Sequence, residues 1–181
     1  MRSYLSIPRI LFCLTLIGFA GALLWNHRFE SAMWQVGKKH QVDARLLRAV
    51  AITESNLNPK AVGAAGEIGM FQIMPNTAKH WALTTNQPIP SEKQLFRVKT
   101  NANISAWYIR EGLDEYADKE DPTAYALAYY NAGPSRVRVW QNQIPAGISF
   151  VDAIPFPSTR RYVNKILGIY RRPNAPSPHD P

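Results

Sequence analysis

Apolar positions between residues 31 and 170 recur at helical spacing. After Asp43, the residues Leu47, Val50 and Ala51 fall at i, i+3 and i+4, and position 54 takes the i+7 place on that face. Asn58-Pro59 is expected to end this helix, because the residue before a proline resists helical geometry. Pro75 suits the first turn of a second helix carrying Thr77, Ala78 and Trp81. A longer helix is expected from about Asn101 to Tyr116, with Ile104, Trp107 and Tyr108 on one face. Another starts near Pro122, passes Ala126 and Tyr130, and stops at Gly133-Pro134; Ser135 to Gln141 adds a short turn or two. Ser158 is placed to cap a last helix with Tyr162, Val163, Ile166, Leu167 and Tyr170 inward. No segment alternates as a strand does, and only the glycines around 63–73 allow a short hairpin. The predicted class is mainly α.

The ends differ from this middle. Residues 1–9 carry Arg2 and Arg9 and no acid, and Ile10 to Trp25 are apolar apart from Thr15 and the glycines. A basic start before an apolar run is an export pattern. Ala20-Gly21-Ala22 fits a cleavage site, yet the apolar run continues through Trp25, so a signal peptide and a retained membrane anchor over 10–25 both fit. Either reading puts residue 30 onward in the periplasm. Arg171 to Pro181 carries four prolines and reads as a loose tail. The expected division is an N-terminal segment over 1–29, one domain over 30–170, and a tail over 171–181.

Composition narrows the chemistry. A hydrophobic share of 46% and a charged share of 19% are ordinary for a globular domain. The net charge of +8 favours an acidic partner. Lys38-Lys39, Arg160-Arg161 and Arg171-Arg172 are scattered pairs, not a basic track interleaved with aromatics, so nucleic acid is not expected. Cys13, the single cysteine, allows no intrachain disulfide. His27, His40, His80 and His179 lack ligand spacing, so no metal and no cofactor are expected.

Glu54 is the most informative residue. It completes an apolar face, where burial disfavours the charged form and raises a carboxyl pKa. It also sits in the last turn of its helix, beside the negative end of the dipole. Both effects hold a proton near neutral pH, as a general acid for glycosidic cleavage requires. The plain alternative is a glutamate turned outward or paired with Arg45 or Arg48.

Context separates these readings. Glu54-Ser55-Asn56-Leu57-Asn58-Pro59 is followed by Gly69-Met70-Phe71-Gln72-Ile73-Met74-Pro75, then Ala128-Tyr129-Tyr130-Asn131-Ala132-Gly133, then Thr159-Arg160-Arg161-Tyr162-Val163. Four blocks in this order resemble the soluble lytic transglycosylase (SLT) domain family over about residues 35–170. The resemblance implies a lysozyme-like α fold. It also implies cleavage of the β-1,4 bond between N-acetylmuramic acid and N-acetylglucosamine in peptidoglycan, leaving a 1,6-anhydro end. It makes Glu54 the catalytic acid/base and assigns Gln72, Met74, Tyr130, Asn131 and Tyr162 to substrate binding. Tyr130 is the tyrosine expected to reach Glu54 or the substrate's acetamido group.

The sequence departs from the family pattern at four places. Gly63 stands where some members carry a serine near the sugar. Met70-Phe71 replaces leucine and methionine. Glu67-Ile68 stands where small residues are commoner, and Ser158 replaces a frequent acid. Glu67 is the best candidate for a second carboxylate, against the alternative of a solvated loop acid. Two other functions fit the same blocks: a goose-type lysozyme-like hydrolase, and a non-catalytic wall-binding subunit of an envelope-spanning secretion or conjugation complex.

Overall fold

In a computed structural model, residues 29–172 are described; the expected signal or anchor over 10–25 and most of the tail lie outside them. Among the described residues no helix is long and apolar enough to cross a membrane. The chain runs through α1 (29–40), α2 (Ala44–Ser55), α3 (Pro75–Thr84), α4 (Glu92–Leu95), α5 (Val98–Glu115), α6 (Pro122–Ala132), α7 (Pro134–Gln141), α8 (Phe150–Ala153) and α9 (Pro157–Tyr170).

The centre is α6. Its six residues Ala124 to Tyr129 are all buried, so it is apolar all round, as a helix enclosed by others must be. Asp121 caps it through the Ala124 N–H, and Pro122 supplies a first residue whose missing donor costs nothing there. The long helix α5 packs on one side and α9 on another, while α9 also packs on α2. Close approach of α5 and α6 depends on Gly112: a Cβ there would meet the Ala126 Cα at 2.9 Å. The short α8 docks by one ring, with Phe150 stacked on Tyr125 at 3.6 Å between centroids.

Two expected boundaries move. Helix α2 does not run to Asn58-Pro59. Asn56 turns left-handed at φ 51° and its N–H reaches back to the Ala51 and Ile52 carbonyls, closing the helix first. Ser158 does not cap α9: Phe156 holds the cap position, Pro157 starts the helix, and Ser158 is exposed in its first turn. The hairpin expected over 63–73 does not form as strands. It reduces to two isolated antiparallel bridges, Val62 with Ile68 and Ile68 with Ile73.

Candidate active site

Helix α2 carries Glu54 to its last turn, where no basic residue offsets the dipole. Arg45 is engaged by Asp43 at 2.7 Å and Arg48 by Glu30 at 2.8 Å, so neither neutralises Glu54. Its partner comes from the far end of the chain. The Tyr162 hydroxyl on α9 donates to Glu54 Oε1 at 2.6 Å. Burial pushes the Glu54 carboxyl from its ordinary 4.5 to about 7, the charge of Glu67 adds to this, and the Tyr162 bond and Lys165 pull the other way. Burial and the Glu54 charge hold the Tyr162 phenol well above its usual range, so it remains a donor.

The rest of the E-S-x-x-N-P block shapes the loop beyond the helix. Ser55 Oγ donates to the Met70 carbonyl at 2.8 Å and accepts from the Asn58 N–H at 3.0 Å. Asn58 Oδ1 accepts from the Lys60 N–H at 2.9 Å. These bonds fold residues 56–70 back over the end of α2. A second clamp comes from α5. Buried Asn101 accepts from the Phe71 N–H at 2.7 Å and donates to the Ile68 and Leu95 carbonyls at 2.8 and 3.0 Å. Gly69, at φ 80°, leaves room for that amide: a Cβ would meet Asn101 Nδ2 and the Leu95 carbonyl, each at 2.8 Å. Sequence reasoning read Asn101 only as a helix start. The available signal was a polar residue on the buried face of an apolar helix.

The expected binding residues gather unevenly. Tyr130, expected to reach Glu54 or the substrate's acetamido group, instead donates its hydroxyl to the Phe71 carbonyl at 2.7 Å, and Tyr162 makes the bond to the carboxyl. Tyr130 still feels the Glu54 charge, which with burial raises its phenol well above the ordinary value. Gln72, left-handed at φ 49°, donates through Nε2 to the Gly69 carbonyl at 2.8 Å. Asn131, exposed at the end of α6, accepts from Thr159 Oγ1 at 2.8 Å, one turn before Tyr162. Met74 stands apart from this hydrogen-bonded set, exposed at the cap position of α3.

The two oddest departures from the family pattern meet in space. A Cβ at Gly63 would lie 2.2 Å from Glu67 Oε2 and 2.7 Å from Gln72 Oε1. The Glu67 carboxylate thus occupies the room a side chain at 63 would need. Its Oε2 accepts from the Ala65 N–H at 2.9 Å, and its carbonyl accepts from the Gly63 N–H at 2.8 Å.

Among the described residues no His, Cys, Asp or Glu cluster could hold a metal ion. A cavity of about 890 Å³ bordered by Lys39, His40, Arg97 and Lys99 contains none of the residues around Glu54. The site offers one half-buried carboxyl with a raised pKa, phenol and amide donors, and a fixed loop.

Comparison with known proteins identifies the family and the fold. The family model for the transglycosylase SLT domain matches residues 31–147. The soluble lytic murein transglycosylase of Escherichia coli K12 is 34% identical over 155 residues, covering 80% of this chain and 24% of that protein. The membrane-bound lytic murein transglycosylase C of Histophilus somni is 30% identical over 134 residues, covering 70% of this chain and 37% of that protein. The crystal structure of the 70 kDa soluble lytic transglycosylase from Escherichia coli superposes with a TM-score of 0.71 at 32% identity, over 77% of this chain and 23% of the other. An inactive glutamate-to-glutamine mutant of the lytic transglycosylase Slt from Pseudomonas aeruginosa gives a TM-score of 0.70 at 28% identity, over 82% and 25%. The chain thus spans about a quarter of the length of the soluble relatives, and it belongs to the transglycosylase SLT domain family.

Proposed function

We propose that this chain is a peptidoglycan lytic transglycosylase, cleaving the β-1,4 bond between N-acetylmuramic acid and N-acetylglucosamine without water. The observation that carries this reading is the Glu54 carboxyl, half-buried at a helix end, raised to about 7 by desolvation and oriented by Tyr162 at 2.6 Å. Glu54 gives its proton to the bridging oxygen as the bond from muramyl C1 breaks, and the electron pair stays on that oxygen. The muramyl acetamido oxygen stabilises the charge developing at C1. The C6 hydroxyl of the same sugar then attacks C1, and the Glu54 carboxylate takes the C6 proton. The acid is restored and the product is a 1,6-anhydro sugar. A pKa near 7 suits a group that must donate in the first step and accept in the second.

Around this acid, Gln72 and Asn131 supply amide groups for sugar hydroxyls and acetamido groups. Tyr130, tied to the Phe71 carbonyl, presents ring surface, and exposed Met74 lends an apolar rim. The domain extends over 30–170, because α9 supplies Tyr162 from beyond the segment that the family model matches. The basic surface suits a wall whose peptide stems carry carboxylates. The periplasm is the compartment where this substrate lies. The relatives named membrane-bound agree with an anchor over 10–25.

Digestion of purified sacculi followed by mass spectrometry of the released muropeptides tests the reaction. Anhydro products, lighter by one water than hydrolytic ones, are expected. Reducing ends in their place would favour the goose-type hydrolase, a reading to which the proximity of the Glu67 charge lends some support.

A further inference from the structure

The loop over 63–72 brings two acceptor oxygens to one point. Glu67 Oε2 and Gln72 Oε1 lie 2.2 and 2.7 Å from where a Cβ of residue 63 would stand. The orientation of each is fixed by the backbone. The Ala65 N–H holds Glu67 Oε2 at 2.9 Å, and the Gly69 carbonyl takes Gln72 Nε2 at 2.8 Å, which turns the amide oxygen toward Gly63. Among the described residues, nothing donates to Gln72 Oε1. Both oxygens are acceptors beside the bare Cα of Gly63, and an N–H or O–H from outside is the group that suits them.

We propose that Glu67 is a specificity-determining residue of the cleft: over the bare Cα of Gly63, it forms with Gln72 a two-acceptor subsite for an acetamido N–H or hydroxyl of the glycan. A side chain at 63 would displace the Glu67 carboxylate and the Gln72 amide from these positions, and the bare Cα of Gly63 leaves them in place. The subsite lies close enough to the reacting centre for the Glu67 charge to bear on Glu54. The other groups facing Glu54 are Tyr162 and Lys165 on α9 and Tyr130 on α6. This inference rests on the reading of Glu54 as the acid of a glycan-cleaving site.

The experiment uses the full chain and separates acceptor from charge. Binding of an N-acetylglucosamine tetramer is measured by calorimetry in the Glu54→Gln background, and pH–rate profiles on sacculi are measured with Glu54 intact. Glu67→Ala is expected to weaken tetramer binding about tenfold, the scale of a hydrogen bond to a charged group. Glu67→Gln, which keeps an acceptor but not the charge, restores most of that affinity. Both substitutions move the alkaline limb of kcat/KM to lower pH, because the negative charge that favours the proton on Glu54 is gone. Gly63→Ala is expected to weaken binding when Glu67 is present and to have little further effect beside Glu67→Ala. If Glu67→Ala leaves binding and the pH limb where they were, Glu67 is only a staple for the Ala65 turn and the subsite is refuted. Wild-type protein that releases no muropeptides would refute the proposed reaction instead, while the binding arm would still report on the subsite.

Discussion

Helices α5 and α6 and the loop over 56–73 solve opposite problems with the same residue types. Between α5 and α6, Gly112 and Ala126 are small so that backbones can touch, and the surrounding side chains are apolar and buried. In the loop, Asn56, Leu57, Gly66, Gly69 and Gln72 all have positive φ, and the chain is held by side-chain bonds from Ser55, Asn58 and Asn101. Non-glycine residues in that region cost free energy and persist only where surrounding structure over-determines them. The helix pair supplies the stability that the loop and the desolvated carboxyl diminish. Packing makes the frame, and departures from packing rules make the site.

The sharpest break in that comparison is Glu54→Gln. Activity on sacculi should fall by about 10²–10⁴-fold, the usual worth of a general acid/base. The fold should respond in the other direction. The folded carboxyl titrates near 7 and the ordinary one at 4.5, so ionisation burdens the native state as pH rises from 4.5 through 7. Denaturant melts should show the variant more stable by about 2–3 kcal/mol at pH 8 and equal to wild type at pH 4. A variant no more stable at pH 8 would mean that the carboxyl is not desolvated.

Gly112→Val attacks the other side. It should cost about 1–3 kcal/mol or more, because the contact at 2.9 Å is with backbone and cannot yield by a rotamer change. The expected loss of Tm is roughly 2–4 °C per kcal/mol for a chain of this size, read by calorimetry, with the pH dependence of any remaining activity unchanged. Asn101→Ala links the two regions. It strands the Phe71 N–H and two carbonyls, at about 1–3 kcal/mol for a buried group left unpaired. Hydrogen exchange should rise over 68–72 before it rises in α6. The smallest effect belongs to Tyr162→Phe. Losing a donor to the carboxylate raises the Glu54 pKa further, so the alkaline limb of kcat/KM should move to higher pH, opposite to the Glu67 variants.

The frame was largely legible in the chain because its cues are local. Proline at a first helical turn marked α3 and α6, Asp43 opened α2, and Gly133-Pro134 separated α6 from α7. The Ser91-x-x-Gln94 capping box was equally local but spans a helix of four residues, too short for apolar periodicity to register. Tyr162 was placed in the site by its motif. Its bond to the acid, taken over from Tyr130, joins residues 108 apart and has no local signature.

What the sequence determined alone was the helical order, the place of Glu54 at the end of the apolar face of α2 and the family to which four ordered blocks belong. Those follow from periodicity and residue type along a few turns. Only the tertiary structure decided which tyrosine holds Glu54, that Asn101 clamps the loop, and that Gly63 and Glu67 are one departure rather than two. Each of these depends on whether two distant side chains occupy or vacate the same few ångströms, and no short stretch of chain encodes that.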